Sequence, residues 1–252
     1  MTEEDIKLQF ITPAITKKWT RQKITMETQV TDGQINLRGN LVARKPGKRV
    51  DYLLYLNVNN PIAVVEAKDN NHSISYGLQQ AIAYAVMLDL PFAYSSNGDG
   101  FAEHDLLTGE EREFGMDEFP TEQELIARYK SEMNGGTGIT PAQETVIEQP
   151  YYTSQNTYPP RYYQRKAINR TMDAIAKGQQ RLLLVMATGT GKTYTAFQIV
   201  YRLLKCGMKR KILYLADRNI LVDQSIQQDF SPLEKVIHKI NVTKDDKIGR
   251  AH

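Results

Sequence analysis

The chain has 252 residues, 41% hydrophobic and 24% charged, which suits a water-soluble globular protein of one large domain or two small ones. No apolar run is long enough to cross a bilayer, the acidic start Thr2-Glu3-Glu4-Asp5 is unlike a secretory signal, and a single cysteine, Cys206, excludes an internal disulfide; the expectation is a cytoplasmic protein without membrane association or a cysteine-ligated metal. The net charge of +3 conceals a division: residues 101–150 carry 3 basic and 12 acidic side chains and residues 151–252 carry 18 and 7, so the second stretch suits a polyanion such as nucleotide or nucleic acid.

Residues 4–19 bring Ile6, Phe10, Ile11 and Ile15 to helical spacing. Residues 25–42 alternate around Asp32-Gly33, which predicts a hairpin turning there. Two apolar runs, 50–56 and 61–67, are joined by Asn57-Val58-Asn59-Asn60 and predict a second hairpin. Residues 76–90 read as a helix through Leu78, Ala81, Ile82, Ala85 and Val86, residues 92–96 as a buried strand, and residues 122–133 as a charged helix closing an α+β unit. Glycine, proline and polar residues crowd 134–160, which reads as a linker. Beyond it the pattern gives a helix over 163–177, a buried strand over 181–186, a helix over 192–205, a second buried strand over 211–216 and a helix over 220–230. That order is a βαβ unit. The expected division is therefore a first domain over 1–133, a linker over 134–160 and a second domain over 161–252.

The run Thr188-Gly189-Thr190-Gly191-Lys192-Thr193 falls between an apolar strand and a helix, the context a phosphate-binding loop requires. Gly189 and Gly191 let the backbone curl so that its N–H groups face phosphate oxygens, and the following helix adds its positive end. Lys192 then reaches the β and γ phosphates of ATP, and the Thr193 hydroxyl holds Mg²⁺. Met186 stands where the general pattern has its first glycine, as in helicase-type loops. Upstream, the Gln164 side-chain amide can both donate to and accept from the edge of adenine.

In the first domain, Asp51 precedes Glu66-Ala67-Lys68, and alternation puts Glu66 and Lys68 on one face of a strand. If the runs 50–56 and 61–67 pair about a turn centred between Val58 and Asn59, Asp51 lies opposite Glu66. Unpaired charges at the edge of an apolar core are costly, so a divalent cation is their natural partner. Asp51, Glu66 and the Ala67 carbonyl would hold Mg²⁺ for phosphodiester hydrolysis, with Lys68 orienting the water or stabilising developing charge. Gln80 and Tyr84, four apart on a helix, share a face that can point into the same cleft.

Taken together, Asp51, Glu66-x-Lys68, Gln80-x-x-x-Tyr84, Met186-Ala187-Thr188-Gly189-Thr190-Gly191-Lys192-Thr193 and Leu215-Ala216-Asp217-Arg218 resemble the N-terminal part of the R (restriction, motor) subunit of type I restriction endonucleases, over nearly the whole chain. Glu3 matches the acidic residue of that nuclease family's opening helix. The resemblance implies a PD-(D/E)xK restriction-endonuclease-like α+β domain followed by the start of a RecA-like, superfamily 2 helicase domain. It implies Mg²⁺-dependent cleavage and ATP-driven translocation of double-stranded DNA, together with methyltransferase (M) and specificity (S) subunits as partners. It gives Gln164 the adenine-reading role and places Arg218 and Gln224 near nucleic acid. The family's acidic box does not appear before His252, and Asp245-Asp246 lacks the apolar strand that should precede one. The expectation is a fragment that touches nucleotide phosphates without completing an ATPase. The competing readings are a catalytically dead DNA-binding module attached to a helicase and a nucleotide-binding regulator. A type III restriction motor carries its nuclease after the helicase, the opposite order.

Overall fold

A computed structural model describes residues 1–31, 35–38, 41–44, 46–155, 157–217 and 219–240, with 35–38 and 41–44 described as backbone. The first helical stretch is α1 (Glu3–Ile6), a π-helical turn (Lys7–Ile11) and α2 (Thr12–Lys18) in succession. Thr2 caps it, its hydroxyl accepting from the Asp5 N–H while the Asp5 carboxylate accepts from the Thr2 N–H. Ile6, Ile11, Ile15 and Trp19 are buried together on a sheet, as the spacing predicts.

That sheet has six strands in the order β1 (Ile24–Gln29), β4 (Arg49–Asn57), β5 (Asn60–Ala67), β6 (Phe92–Ser96), β7 (Gly100–Asp105) and β8 (Glu111–Gly115). Between β1 and β4 the chain forms a separate ribbon of β2 (Ile35–Arg38) and β3 (Leu41–Arg44). The hairpin expected over 25–42 is therefore corrected: β1 pairs antiparallel with β4, Ile24 opposite Leu54, while Ile35 pairs with Arg44. Asp32-Gly33 lies outside the described residues. Alternation identifies a strand without choosing its neighbour, and the half-exposed β1 gains most by edging the fully apolar β4.

The hairpin of β4 and β5 forms as expected. Tyr52 faces Val65, Leu53 faces Val64 and Leu54 faces Ala63, with a turn at Val58-Asn59 where Asn59 takes a left-handed φ of 62°. The parallel pair β5 and β6 is bridged by α3 (Leu78–Leu88). Helices cover both faces: the opening stretch and α4 (Glu122–Gly136) on one, through Tyr52, Leu54, Tyr94 and Leu125, and α3 on the other, through Leu53, Val64, Ala81 and Ala85. β7 and β8 have no counterpart in the pattern read above.

The second half is helical where described. α5 (Pro141–Glu148), α6 (Tyr162–Ala176) and α7 (Lys192–Lys205) pack around Val146, Tyr151, Ile168, Met172 and Leu203. The stretch 134–160 thus contains a packed helix, capped by Thr140 and anchored by buried Gln143 and Val146. Arg202 is buried among them, donating to the carbonyls of Val146 at 2.8 Å and Gln149 at 3.1 Å and to Asn169 Oδ1 at 2.9 Å. α8 (Asn219–Gln227) follows.

The strands expected over 181–186 and 211–216 are not formed; neither segment pairs with a strand among the described residues. Nor are they buried: Leu183 is 86% and Val185 88% exposed, while Leu182 and Leu184 are only 42%. The period of two survives, with one side turned towards protein and the other open. A parallel strand is held by ladders on both edges and helices on both faces, and here neither edge is paired.

The two halves meet through α6. Arg170 grips Asp89, beyond the end of α3, with both carboxylate oxygens engaged at 2.8 and 3.1 Å, and Asn169 donates to Asn60 Oδ1 at the start of β5. A cleft of about 260 Å³ lies at this junction, lined by Asn60, Asp89, Tyr129, Asn169, Arg170 and Arg202, and none of the residues expected to do chemistry borders it.

Candidate active site

The residues flanking the β4–β5 turn carry two carboxylates to the same side of the sheet. Asp51 and Glu66 lie two positions from Leu53 and Val64, which pack on α3, so all four share that face. Asp51 Oδ2 accepts the Ala67 N–H at 2.8 Å, which locks the acid against the neighbouring strand. Glu66, only 2% exposed, accepts from Gln80 Nε2 at 2.7 Å through Oε2, and Gln80 lies 3.5 Å from the Tyr84 hydroxyl. The i, i+4 pair on α3 therefore does reach the carboxylate. Lys68 Nζ stands 3.9 Å from Glu66 Oε2 and 4.0 Å from Glu3 Oε2. Asp51, Glu66, Lys68, Gln80 and Tyr84 are thus brought together, with Glu3 at their edge.

Gly77 makes room for this arrangement. A Cβ there would lie 2.7 Å from Ser95 Oγ and 3.2 Å from the Lys68 stem. Ser95 sits beside Glu66 in the β5–β6 register, and its hydroxyl accepts the Gly77 N–H at 3.1 Å, tying the start of α3 to the sheet. Sequence reading passed over both.

It also passed over Lys7. Its ammonium is 2.8 Å from Asp51 Oδ1, 2.6 Å from Glu27, 2.9 Å from Glu4 and 3.5 Å from Glu3, and its side chain is 4% exposed. Burial alone would lower its pKa, but the bonds to Asp51, Glu27 and Glu4 outweigh that and raise it. Glu27 falls between Met26, paired with Tyr52, and Thr28, paired with Val50, so it lies across from Asp51.

The electrostatics bear on whether Mg²⁺ fits. Burial and then the Asp51 charge push the Glu66 carboxyl up to about 8, with Lys68 pulling the other way. Its second oxygen, Oε1, is buried without a hydrogen-bond partner. A buried oxygen with an open lone pair beside a second carboxylate fits a hard cation. Among the described residues no group of three or more His, Cys, Asp or Glu side chains is arranged to hold a metal ion, so the donors on offer are two carboxylates and main-chain oxygen. Burial also raises the Tyr84 pKa, so its phenol keeps its proton.

The phosphate-loop residues lie in the other half. Gly189 and Gly191 have φ of 78° and 80°, the left-handed conformation that the loop requires, and α7 begins at Lys192. Lys192 Nζ folds back onto the carbonyls of Met186 and Ala187 at 3.4 and 3.3 Å, and the Thr190 hydroxyl donates to Ala187 O at 2.6 Å. Gln164 engages both ends of its amide: Nε2 donates to Thr190 O at 2.9 Å and Oε1 accepts the Arg161 N–H at 2.9 Å. A Cβ on Gly191 would collide with the Gln164 amide. Gln164 thus braces the loop, and a contact with adenine requires one of these bonds to open. Thr188 and Thr193 flank the turn and the first residue of α7; Gln224 lies on α8, while Arg218 and Asp245-Asp246 fall outside the described residues.

A restriction-endonuclease-like α/β domain followed by a helicase-like region is the class that this fold defines. Residues 17–112 match the family described as type I restriction enzyme R protein N terminus, and residues 157–250 match the type III restriction enzyme, res subunit. The whole chain is 45% identical over 258 aligned residues to the type I restriction enzyme EcoAI endonuclease subunit of Escherichia coli, and 70% of it is 28% identical to the EcoKI endonuclease subunit of Escherichia coli strain K12. A solved fragment assigned as an HsdR subunit of a type I restriction enzyme from Vibrio vulnificus YJ016 superposes with a TM-score of 0.71 at 39% identity, over 82% of this chain and 38% of that one. The chain belongs to the R-subunit (HsdR) family of type I restriction enzymes and corresponds to its N-terminal part. It spans 31% of the EcoAI subunit and 18% of the EcoKI subunit. The helicase-like match follows the nuclease-side match along the chain, the order expected of a type I subunit.

Proposed function

We propose that residues 1–133 form a Mg²⁺-dependent nuclease that hydrolyses double-stranded DNA, and that residues 161–252 supply the nucleotide-phosphate site of an ATP-driven DNA translocase, joined by 134–160. The observation that carries the nuclease reading is the buried Glu66, held by Gln80 and left with one open oxygen beside Asp51. Asp51, Glu66 and the Ala67 carbonyl would hold Mg²⁺, which when bound polarises the scissile phosphate and acidifies a water. Lys68 donates a hydrogen bond that orients this water and offsets the negative charge growing on the phosphate. Gln80 fixes the Glu66 carboxylate, and Tyr84, protonated by virtue of its burial, offers a donor to phosphate oxygen.

In the second half, Lys192 and the backbone of Thr188 to Thr193 would take the phosphates once Lys192 leaves its carbonyl partners, with the Thr193 hydroxyl on the accompanying Mg²⁺. Double-stranded DNA is the polyanion for the basic half, and methyltransferase and specificity subunits are the partners, as for type I enzymes; the setting is cytoplasmic. No helix among the described residues is long and apolar enough to cross a membrane.

The test is cleavage of linear and supercoiled plasmid by the purified chain, alone and with the EcoAI-type partner subunits and ATP. Mg²⁺-dependent cutting that disappears in Asp51→Ala and Lys68→Ala is expected. DNA binding without cutting under every condition, unchanged by these substitutions, would favour the inert binding module instead.

A further inference from the structure

Two irregularities of the backbone converge on one side chain. The opening helix loosens into a π turn at Lys7–Ile11, starting at Lys7 itself, and Glu27 is held at φ 50° inside a strand, a conformation that β-sheet residues with a side chain avoid. Both deviations serve the same contact: Lys7 from the helix and Glu27 from β1 meet at Asp51 Oδ1, with Nζ 2.6 Å from Glu27, 2.8 Å from Asp51 and 2.9 Å from Glu4. Local strain of this kind persists where the surroundings impose it, and it clusters at functional sites.

The charge inventory says what Lys7 is for. Glu3, Glu4, Glu27, Asp51 and Glu66 face only two ammonium groups, Lys7 and Lys68. Lys68 lies on the Glu66 side, next to the open Oε1, at 3.9 Å from its partner and loosely held. Lys7 lies on the other side of Asp51, tightly ringed and almost wholly buried. Oxygens of Glu4, Glu27 and Asp51 therefore converge on a nitrogen at separations close to those a metal ion would demand. A ring of carboxylates around a buried point is a divalent-cation cage in which the protein has placed its own cation.

Resting on the nuclease reading above, we propose that Lys7 is a fixed internal cation that takes the place of a second metal ion, so that the centre accepts a single divalent cation between Asp51 and Glu66. Lys7 acts through Asp51: it neutralises the outer carboxylates, holds Oδ1 in place and leaves the inner side of the acid for the catalytic ion. It is a positioning residue, and it sets metal stoichiometry.

The experiment counts Mn²⁺ ions bound to the full 252-residue chain without nucleotide, by calorimetric titration and by electron paramagnetic resonance, in the wild type, Lys7→Met and Lys7→Arg, with Asp51→Asn as the blank. One ion in the wild type and in Lys7→Arg, and two in Lys7→Met with a spin-coupled spectrum, is the expected result. If Lys7→Met folds only when Mn²⁺ is present, two ions per chain at the point of rescue is the same result. One ion in Lys7→Met overturns the role of Lys7 and leaves the nuclease reading standing. A spin-coupled pair in the wild type also overturns it, without needing any variant. Binding to none of the chains, or binding unchanged in Asp51→Asn, overturns both.

Discussion

Arg128 of α4 holds together the two strands that lie farthest from the expected site. Its guanidinium donates to Glu103 at 2.5 Å and Asp105 at 2.8 Å, pairs with Glu132 at 3.2 Å and lies 4.5 Å from the centre of the Phe92 ring. Glu103 and Asp105 are buried on β7, and burial would raise both pKa values, yet their hydrogen bonds bring them below the usual carboxylate range. Replacing Arg128 by Met keeps the stem on Phe92 and removes the charge. Breaking a buried pair from one side costs about 3–5 kcal/mol. Arg112 remains on Glu103 at 3.1 Å, which argues for the lower end, about 3 kcal/mol. At about 2–4 °C per kcal/mol for a chain of this size, the melting temperature falls by roughly 6–12 °C in scanning calorimetry. Adding Glu103→Gln to Arg128→Met restores part of the loss, because the orphaned charge is the costly element. Both carboxyls have depressed folded-state pKa values, so their contribution is present above the unfolded values and is lost as pH falls through the folded ones. The gap between wild type and Arg128→Met therefore narrows only in acid, below about pH 4.5. A loss under about 1 kcal/mol at neutral pH, or a double variant no better than the single, would refute the assignment of this network as a buried, fully engaged one.

Two further perturbations test other parts of the molecule. Glu132 is pushed up to about 7, first by burial and then by its hydrogen bond to Asp105, so the fold prefers its neutral form. That preference stabilises the protein fully below the unfolded value near 4.5 and is lost as pH rises through 7, so denaturant-measured stability should decline across this window. Glu132→Gln should flatten the decline, leaving the smaller slope of the same sign that Glu66, at about 8, contributes; an unchanged profile would disprove the assignment. Gly191→Ala combines a left-handed φ with a collision against the Gln164 amide, so binding of a fluorescent ATP analogue should drop at least tenfold while the melting temperature of the first domain stays put. Undiminished binding would show that the loop carries no phosphate.

What could be read from the sequence was what local rules decide. The β4–β5 register follows from a two-residue turn and two apolar runs, so placing Asp51 beside Glu66 needed only the position of Val58-Asn59. α3 and α7 follow from periodicity over three turns, and the phosphate loop from a motif whose glycines have an explicit conformational purpose. β7 and β8 were invisible for the opposite reason. Their sequences, Gly100–Asp105 and Glu111–Gly115, place Glu103, Asp105, Glu111, Arg112 and Glu113 where strands usually carry apolar or β-branched residues. Burial of Glu103 and Asp105 is made tolerable by Arg128, a residue from a later helix, and nothing local announces that partnership. The partner of β1 was misread on similar grounds, since pairing across an intervening ribbon is a property of the whole sheet.

The same division runs through the site. Glu66, Lys68, Gln80 and Tyr84 were recoverable because each lies at a spacing that one element fixes: alternate residues of a strand, or one turn of a helix. Lys7 was not, because in sequence it is an ordinary lysine placed to pair with Glu3 and Glu4 at i, i+4 and i, i+3, the pattern of a solvated helix surface. Only the π turn, which rotates the helix out of its regular phase, and the left-handed Glu27 on another strand convert it into a buried ion. Deviations from regular geometry are what periodic patterns cannot encode. Here they lie beside the carboxylates, so the least predictable part of the chain is the part that sets the charge of the site.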